Sequence, residues 1–148
     1  MKDEGKITTQ GIKYAGSKLK IIPYIIQIIS ELKSVKTVLD GFSGTTRVSQ
    51  AFAQLGYDTT ANDVAVWSEV FANCYLIADK PATFYQEIID ELNALKGYDG
   101  WFTDNYGIDG ALLKRPFQRK NTQKLDAIRC AIDQLHLSWP DKCVILTS

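Results

Sequence analysis

The sequence lacks several features that would place a protein in a class at once. Its longest apolar run, Ile21–Ile29, is interrupted by Gln27 and is too short to span a bilayer. It has no basic start followed by an apolar core and a small-residue cleavage site, so we predict no export. Its cysteines are three, odd in number and without any C-x-x-C pair: Cys74, Cys130 and Cys143. We therefore expect reduced thiols in a cytoplasmic protein, with neither disulfides nor a zinc site.

Histidine is scarce, and paired prolines are missing. The single histidine, His136, excludes a two-histidine metal site and disfavours a Ser-His-Asp triad, so we predict a structural or surface role for it. The 10 glycines and 4 prolines follow no repeat, which excludes collagen-like and low-complexity classes. The 148 residues are 45% hydrophobic and 23% charged, a length and composition that suit one compact globular domain.

The chain has no net charge, but its charges are unevenly distributed. Seventeen basic residues balance seventeen acidic ones. Residues 79–109 carry seven acidic residues against two basic, 110–129 carry six basic against one acidic, and 1–39 are also basic. A neutral total can hide a basic surface large enough for a phosphate backbone. The alternative is that these charges are the solvated faces of helices.

Hydrophobic spacing predicts helices that alternate with strands, which is typical of an α/β fold with a mainly parallel sheet. The stretch 98–110 mixes aromatics with turn formers, and we expect a long loop there with a short strand. The apolar segment 143–146 begins an element that we expect to pack on residues beyond the end of the sequence. The predicted helices cover about 21–32, 48–56, 62–78, 81–97 and 121–135, and the predicted strands 35–42 and 57–61.

The unit from Val35 to Asp63 has the layout of a nucleoside-binding strand, turn, helix and strand. Asp63 lies 19 residues after Gly44, near the spacing expected between a glycine turn and an acidic residue on the ribose. The turn lacks the three-glycine pyrophosphate fingerprint, and Asp40 would repel a pyrophosphate. The carboxylate of Asp40 suits a ligand with an ammonium group, such as the methionine part of S-adenosylmethionine. The alternative makes Asp40 a turn former and Asp63 a helix cap.

Four short segments, in this order, resemble the motifs of Dam-like, adenine-specific DNA methyltransferases. They are Tyr14–Lys18 (YAGSK), Asp40–Thr46 (DGFSGTT), Asn62-Asp63, and Lys124–Arg129 (KLDAIR). The resemblance implies a Rossmann-like, S-adenosylmethionine-dependent methyltransferase fold, incomplete and limited to the amino-terminal portion of the parallel sheet with its flanking helices. It also implies that double-stranded DNA is the partner.

The resemblance assigns roles residue by residue. The methionine and ribose side of S-adenosylmethionine would be lined by Asp40, Phe42, Gly44 and Thr45. Asp63 would hold the ribose hydroxyls, and the methionine end would be closed by Tyr14, Gly16 and Lys18. The residues expected toward DNA phosphates are Lys114, Arg115, Arg119, Lys120 and Lys124.

The catalytic motif of that family is absent. Its Asp-Pro-Pro-Tyr holds the exocyclic amine of a flipped adenine, whereas no two prolines are adjacent here. We therefore assign no catalytic residue and no metal ligand, and predict that 1–148 is the amino-terminal part of one methyltransferase domain. Residues 1–97 would form its cofactor-binding portion, and 98–148 a loop and helical segment leading toward the missing motif. The chain alone would be inactive, with the catalytic half missing or on another chain.

Two other functions remain open at this stage. A non-catalytic DNA-binding or assembly subunit could keep the fold and use only its basic surface, with a steep salt dependence. A nicotinamide-linked oxidoreductase is disfavoured by the missing three-glycine fingerprint.

Overall fold

The computed structural model describes residues 7–12, 17–108 and 116–148. They form a mixed helix and strand fold with two small parallel sheets. The helices are Ile22–Ser30 (α1), Arg47–Gln54 (α2), Val66–Ala72 (α3), Ala82–Ala94 (α4), Trp101–Tyr106 (α5), Arg119–Gln134 (α6) and Trp139–Thr147 (α7). The strands are Thr37–Asp40 (β1), Asp58–Ala61 (β2), Gly107–Ile108 (β3) and Phe117–Gln118 (β4).

Leaving aside the last two residues, the chain divides into two compact units, the first ending at Ala78 and the second comprising Asp79–Leu146. In the first unit, β1 and β2 pair in parallel, with Asp40 opposite Ala61. The connection between them runs through α2, as parallel strands require a crossover. None of the helices in the described residues is long and apolar enough to cross a membrane.

The core of the first unit explains the order of its elements. Ile22, Val48, Ala51 and Phe52 are buried together, and Val38 of β1 packs against them. Pro23 lies in the first turn of α1, where backbone N–H groups make no hydrogen bond within the helix, so the missing N–H of proline costs nothing. The predicted strands and helices of this unit are confirmed to within two residues at each end, except that α3 begins at Val66 and continues as a π-helical turn, Asn73–Ile77.

The second unit departs from the sequence predictions in three places. A helix, α5, occupies six residues of the predicted loop at 98–110, and β3 is the strand among the described residues of that segment. Helix α6 begins at Arg119, with Gln118 at its N-cap, so the predicted cap at Asn121 or Thr122 is wrong. Segment 143–146 belongs to α7, and Cys143 and Ile145 are already buried within the described residues, so our prediction that it packs only on later residues is wrong for these two.

Candidate functional site

The carboxyl ends of β1 and β2 bring the two acidic segments of the first unit together. Because the strands are parallel and in register, both chains leave the sheet at the same edge. The N–H of Asn62 donates to the carbonyl of Asp40 at 2.9 Å, and the N–H of Ser43 donates to the carbonyl of Asn62 at 2.9 Å. The loops that follow the two strands are therefore joined through their backbones.

The turn at 43–46 places a backbone donor directly on Asp63. Gly44 has a φ of +53°, and the N–H of Gly44 donates to Oδ2 of Asp63 at 2.9 Å. The other carboxylate oxygen accepts from the N–H of Ala65 at 3.0 Å. These hydrogen bonds, first from Ala65 and then from Gly44, lower the pKa of Asp63 below its usual value, so the group stays ionised. Each oxygen keeps a lone pair that could accept a ligand hydroxyl.

Asp40 is buried at the end of β1 and is bound on both of its oxygens. It is 7% exposed. Its Oδ1 lies 3.1 Å from Nζ of Lys18, and its Oδ2 accepts from Oγ of Ser49 at 2.9 Å. The same ammonium donates to the carbonyl of Phe42 at 2.6 Å. The ammonium group on Asp40 is that of Lys18, and the binding of a cofactor ammonium by Asp40 stays a prediction.

A cleft of about 650 Å³ lies beside β2 and reaches this turn. The cleft is lined by residues 57–63 and Ser43. Its other wall is formed by one side of α3, which includes Ser68, and of the π-helical turn, which includes Ile77. Its size falls within the range of small-molecule sites. Within the described parts of the chain, no group of three histidine, cysteine, aspartate or glutamate side chains could hold a metal ion.

The structure brings most of the predicted cofactor residues to one edge of the sheet. Six of them meet there: Lys18, Asp40, Phe42, Gly44, Thr45 and Asp63. Tyr14 and Gly16 lie outside the described residues. Sequence reasoning missed Ser49, because a serine inside a helix is unremarkable until the buried acceptor beside it is seen.

The predicted DNA-facing residues have different surroundings. Lys114 and Arg115 lie outside the described residues. Arg119 forms a two-point ion pair with Asp99, with Nε to Oδ1 at 3.1 Å and Nη2 to Oδ2 at 2.5 Å. Lys124 donates to the carbonyls of Asn93 and Leu95 at the end of α4, whereas Lys120 is exposed. A role of these residues in DNA binding stays a prediction, and Lys120 is the best placed of those described.

Comparison with known proteins agrees with the motifs. A family model, D12 class N6 adenine-specific DNA methyltransferase, matches residues 14–143. A curated relative, Type II methyltransferase M.NlaIII of Neisseria lactamica, is 27% identical over 127 residues, which are 83% of this chain and 38% of that protein. The chain thus spans well under half the length of this relative. No solved structure matches. Since the family model covers most of the sequence, the chain belongs to the D12 class of N6 adenine-specific DNA methyltransferases.

Proposed function

We propose that this chain is the S-adenosylmethionine-binding portion of an adenine-specific DNA methyltransferase with a Rossmann-like fold. The observation that carries the proposal is the convergence of Asp40 and Asp63 at the carboxyl ends of two parallel strands, where Asp63 also lines a cleft large enough for a nucleoside. Ligands of open α/β sheets bind at this edge. Asp63, ionised and held by two backbone N–H groups, would accept hydrogen bonds from the two ribose hydroxyls.

The pair of Asp40 and Lys18 suits the amino acid end of the cofactor. Methionine carries an ammonium and a carboxylate on one carbon, and the ion pair presents a carboxylate and an ammonium about 3 Å apart. We propose that the cofactor ammonium binds Asp40 and its carboxylate binds Lys18. Ser49 and the carbonyl of Phe42 would keep the two side chains in place meanwhile.

We propose that methyl transfer needs residues outside these 148, on the same polypeptide or on a separate chain. The sequence contains no Asp-Pro-Pro-Tyr. Among the described residues β1 pairs only with β2, and Leu39 of β1 is 68% exposed on the side of the sheet away from Val38. Parallel sheets are normally covered on both faces. The exposed face at Leu39 is therefore expected if further helices or strands of the complete fold cover it.

Calorimetric titration of the chain with S-adenosylmethionine tests the proposal. We expect Asp63→Asn to weaken binding about 10- to 100-fold, because a carboxylate accepting hydroxyl hydrogen bonds contributes about 1.5–3 kcal/mol. Asp133→Asn is the matched control, since Asp133 is exposed on α6 and, within the described residues, its carboxylate pairs with Arg129. Absence of binding by the parent chain, or equal binding by parent and Asp63→Asn, would refute the pocket.

A non-catalytic DNA-binding or assembly subunit is the second candidate, and the missing catalytic motif favours it. Such a subunit would bind duplex DNA with a steep salt dependence and without cofactor. If S-adenosylmethionine changes neither the affinity for DNA nor the melting temperature of the chain, this second function becomes the better explanation.

A further inference from the structure

Three side chains of α2 bind the main chain of residues 8–11. They are spaced three and four residues apart, so they lie on one face of the helix. Together they donate hydrogen bonds to all four backbone carbonyls of the segment. These contacts do not involve the segment's own side chains. The contacts are Gln54 to the Thr8 carbonyl (2.6 Å), Arg47 to the Thr9 (2.7 Å) and Gly11 (2.5 Å) carbonyls, and Gln50 to the N–H (2.8 Å) and carbonyl (3.1 Å) of Gln10.

Gln50 also binds the turn at the candidate cofactor site. Its Nε2 donates to Oγ1 of Thr46 at 3.1 Å and approaches the carbonyl of Thr45 at 3.4 Å. Gln10 determines the orientation of the Gln50 side-chain amide. The Gln10 N–H needs the amide oxygen as its acceptor, and the Gln10 carbonyl needs the amide NH₂ as its donor. Gln50 is 5% exposed and Thr46 is fully buried. One buried amide therefore joins segment 8–11 to the turn.

Gly11 brings the segment against the same turn. Its φ is +137°, a conformation that other residues rarely adopt, and a Cβ at this position would lie 3.2 Å from Cβ of Thr45. The segment and the turn are therefore packed against each other as well as hydrogen-bonded. A displacement of one must be followed by the other.

The turn needs such support because the backbone of Thr46 is strained. Gly44 and Thr46 both have positive φ, at +53° and +60°. For a β-branched residue this conformation persists only where the surroundings enforce it. Gln50 binds the hydroxyl of Thr46, and the N–H of Gly44 in the same turn is the donor to Asp63.

We propose that Gln50 is a positioning residue of the cofactor site, which holds the Ser43–Thr46 turn in the conformation that binds S-adenosylmethionine by tying it to residues 8–11. This inference rests on the proposed function. Pre-organising a binding loop raises affinity because the loop is ordered before the ligand arrives. Gln50 itself touches no ligand in this scheme and acts through Gly44 and Thr46.

The test compares Gln50→Leu with Gln54→Leu. Both variants remove an amide from the same face of α2, but within the described part of the chain Gln54 donates to the Thr8 carbonyl and not to the turn. We expect Gln50→Leu to weaken S-adenosylmethionine binding at least tenfold and Gln54→Leu to change it less than twofold. If Gln50→Leu does not fold, Gln50→Met serves, since methionine keeps the length of the glutamine side chain but has no N–H to donate to Thr46.

Amide hydrogen exchange supplies a readout that separates this inference from the proposed function. In the Gln50 variants we expect faster exchange at Gly44 and Thr46, and in Gln54→Leu no change at these two amides. Unchanged exchange there, or undiminished cofactor affinity in a folded Gln50 variant, overturns the inference. If the parent chain binds no S-adenosylmethionine, the proposed function fails, and exchange at Gly44 and Thr46 alone decides whether Gln50 positions the turn.

Discussion

Replacing Asp126 with asparagine should release the amino end of α5. The carboxylate of Asp126, on α6, accepts four hydrogen bonds from the start of α5, where backbone N–H groups have no partner within the helix. Three of them reach Oδ2 and one reaches Oδ1. The donors to Oδ2 are the N–H of Gly100 (3.2 Å) and the N–H and Oγ1 of Thr103 (2.9 and 2.6 Å), and the donor to Oδ1 is the N–H of Phe102 (3.0 Å).

An asparagine can keep its oxygen on the side of the three donors, but it then turns an amide NH₂ toward the Phe102 N–H. It also loses the negative charge at the helix N-terminus. A hydrogen bond to a charged group contributes about 1.5–3 kcal/mol, and a charge at a helix end about 0.3–1 kcal/mol. Because one oxygen still accepts, we expect the unfolding free energy of the second unit to fall by about 2 kcal/mol, well below the sum of all four bonds.

The close packing around this carboxylate leaves little room for compensation. A Cβ at Gly100 would lie 2.7 Å from Cγ of Asp126, so the backbone of α5 rests directly on the acid. Burial opposes ionisation of Asp126, but the hydrogen bonds from Thr103, Phe102 and Gly100 outweigh it and lower its pKa below the usual value. The folded state therefore favours the charged form that asparagine cannot supply.

Urea unfolding followed by tryptophan fluorescence measures the change, and amide exchange at residues 101–106 shows whether α5 opens locally. Asp133→Asn on the same helix is the control, with an expected loss below about 0.5 kcal/mol because its ion pair with Arg129 is exposed. A loss for Asp126→Asn no larger than that of the control, with unchanged exchange in α5, would show that the carboxylate does not hold this helix.

Three further results are expected. Lys120→Ala should weaken duplex DNA binding and reduce the slope of log affinity against log salt by about 1 if Lys120 meets a phosphate, and an unchanged slope in a salt titration argues against that contact. Lys124→Ala should instead lower the thermal midpoint, because Lys124 binds the last carbonyls of α4, and an unchanged midpoint would contradict this. Hydrogen bonds from Ser138 and then Tyr85 lower the pKa of Asp141, so its contribution to stability is complete above its unfolded pKa and is lost as the pH falls through the lower folded pKa. Asp141→Asn should remove that part of the acid dependence in denaturation curves recorded from pH 6 to pH 2.5, and an identical dependence in the variant would contradict the assignment.

The first unit could be predicted from its sequence because its signals are local. The spacing of Ile22, Ile25 and Ile29 predicts α1, and the apolar residues of α2 end at Gly56, whose φ is +85°. Two short strands on either side of α2 predict a parallel pair, and parallel pairing alone places Asp40 beside Asn62-Asp63. The candidate site therefore follows from the order of elements, without knowledge of side-chain contacts.

The helix α5 could not be predicted in the same way. Six residues are too few to show a helical period, and the sequence of Trp101–Tyr106 contains no capping residue at its start. Its cap is Asp126, more than 20 residues later, in the segment Lys124–Arg129, whose sequence indicates a family resemblance but no contact with α5. A helix stabilised from a distance has no local signal.

The sequence by itself determined the family motifs, the alternation of strands and helices, and the identity of the acidic residues at the strand ends. Only the tertiary structure decided that Lys18 is the ammonium on Asp40, that Arg119 and Lys124 are bound within their own unit, and that Gln50 joins residues 8–11 to the turn. The physical reason is range. Periodicity and turn chemistry act between neighbours, whereas a buried charge or amide takes whichever partner the folded chain brings within hydrogen-bond distance.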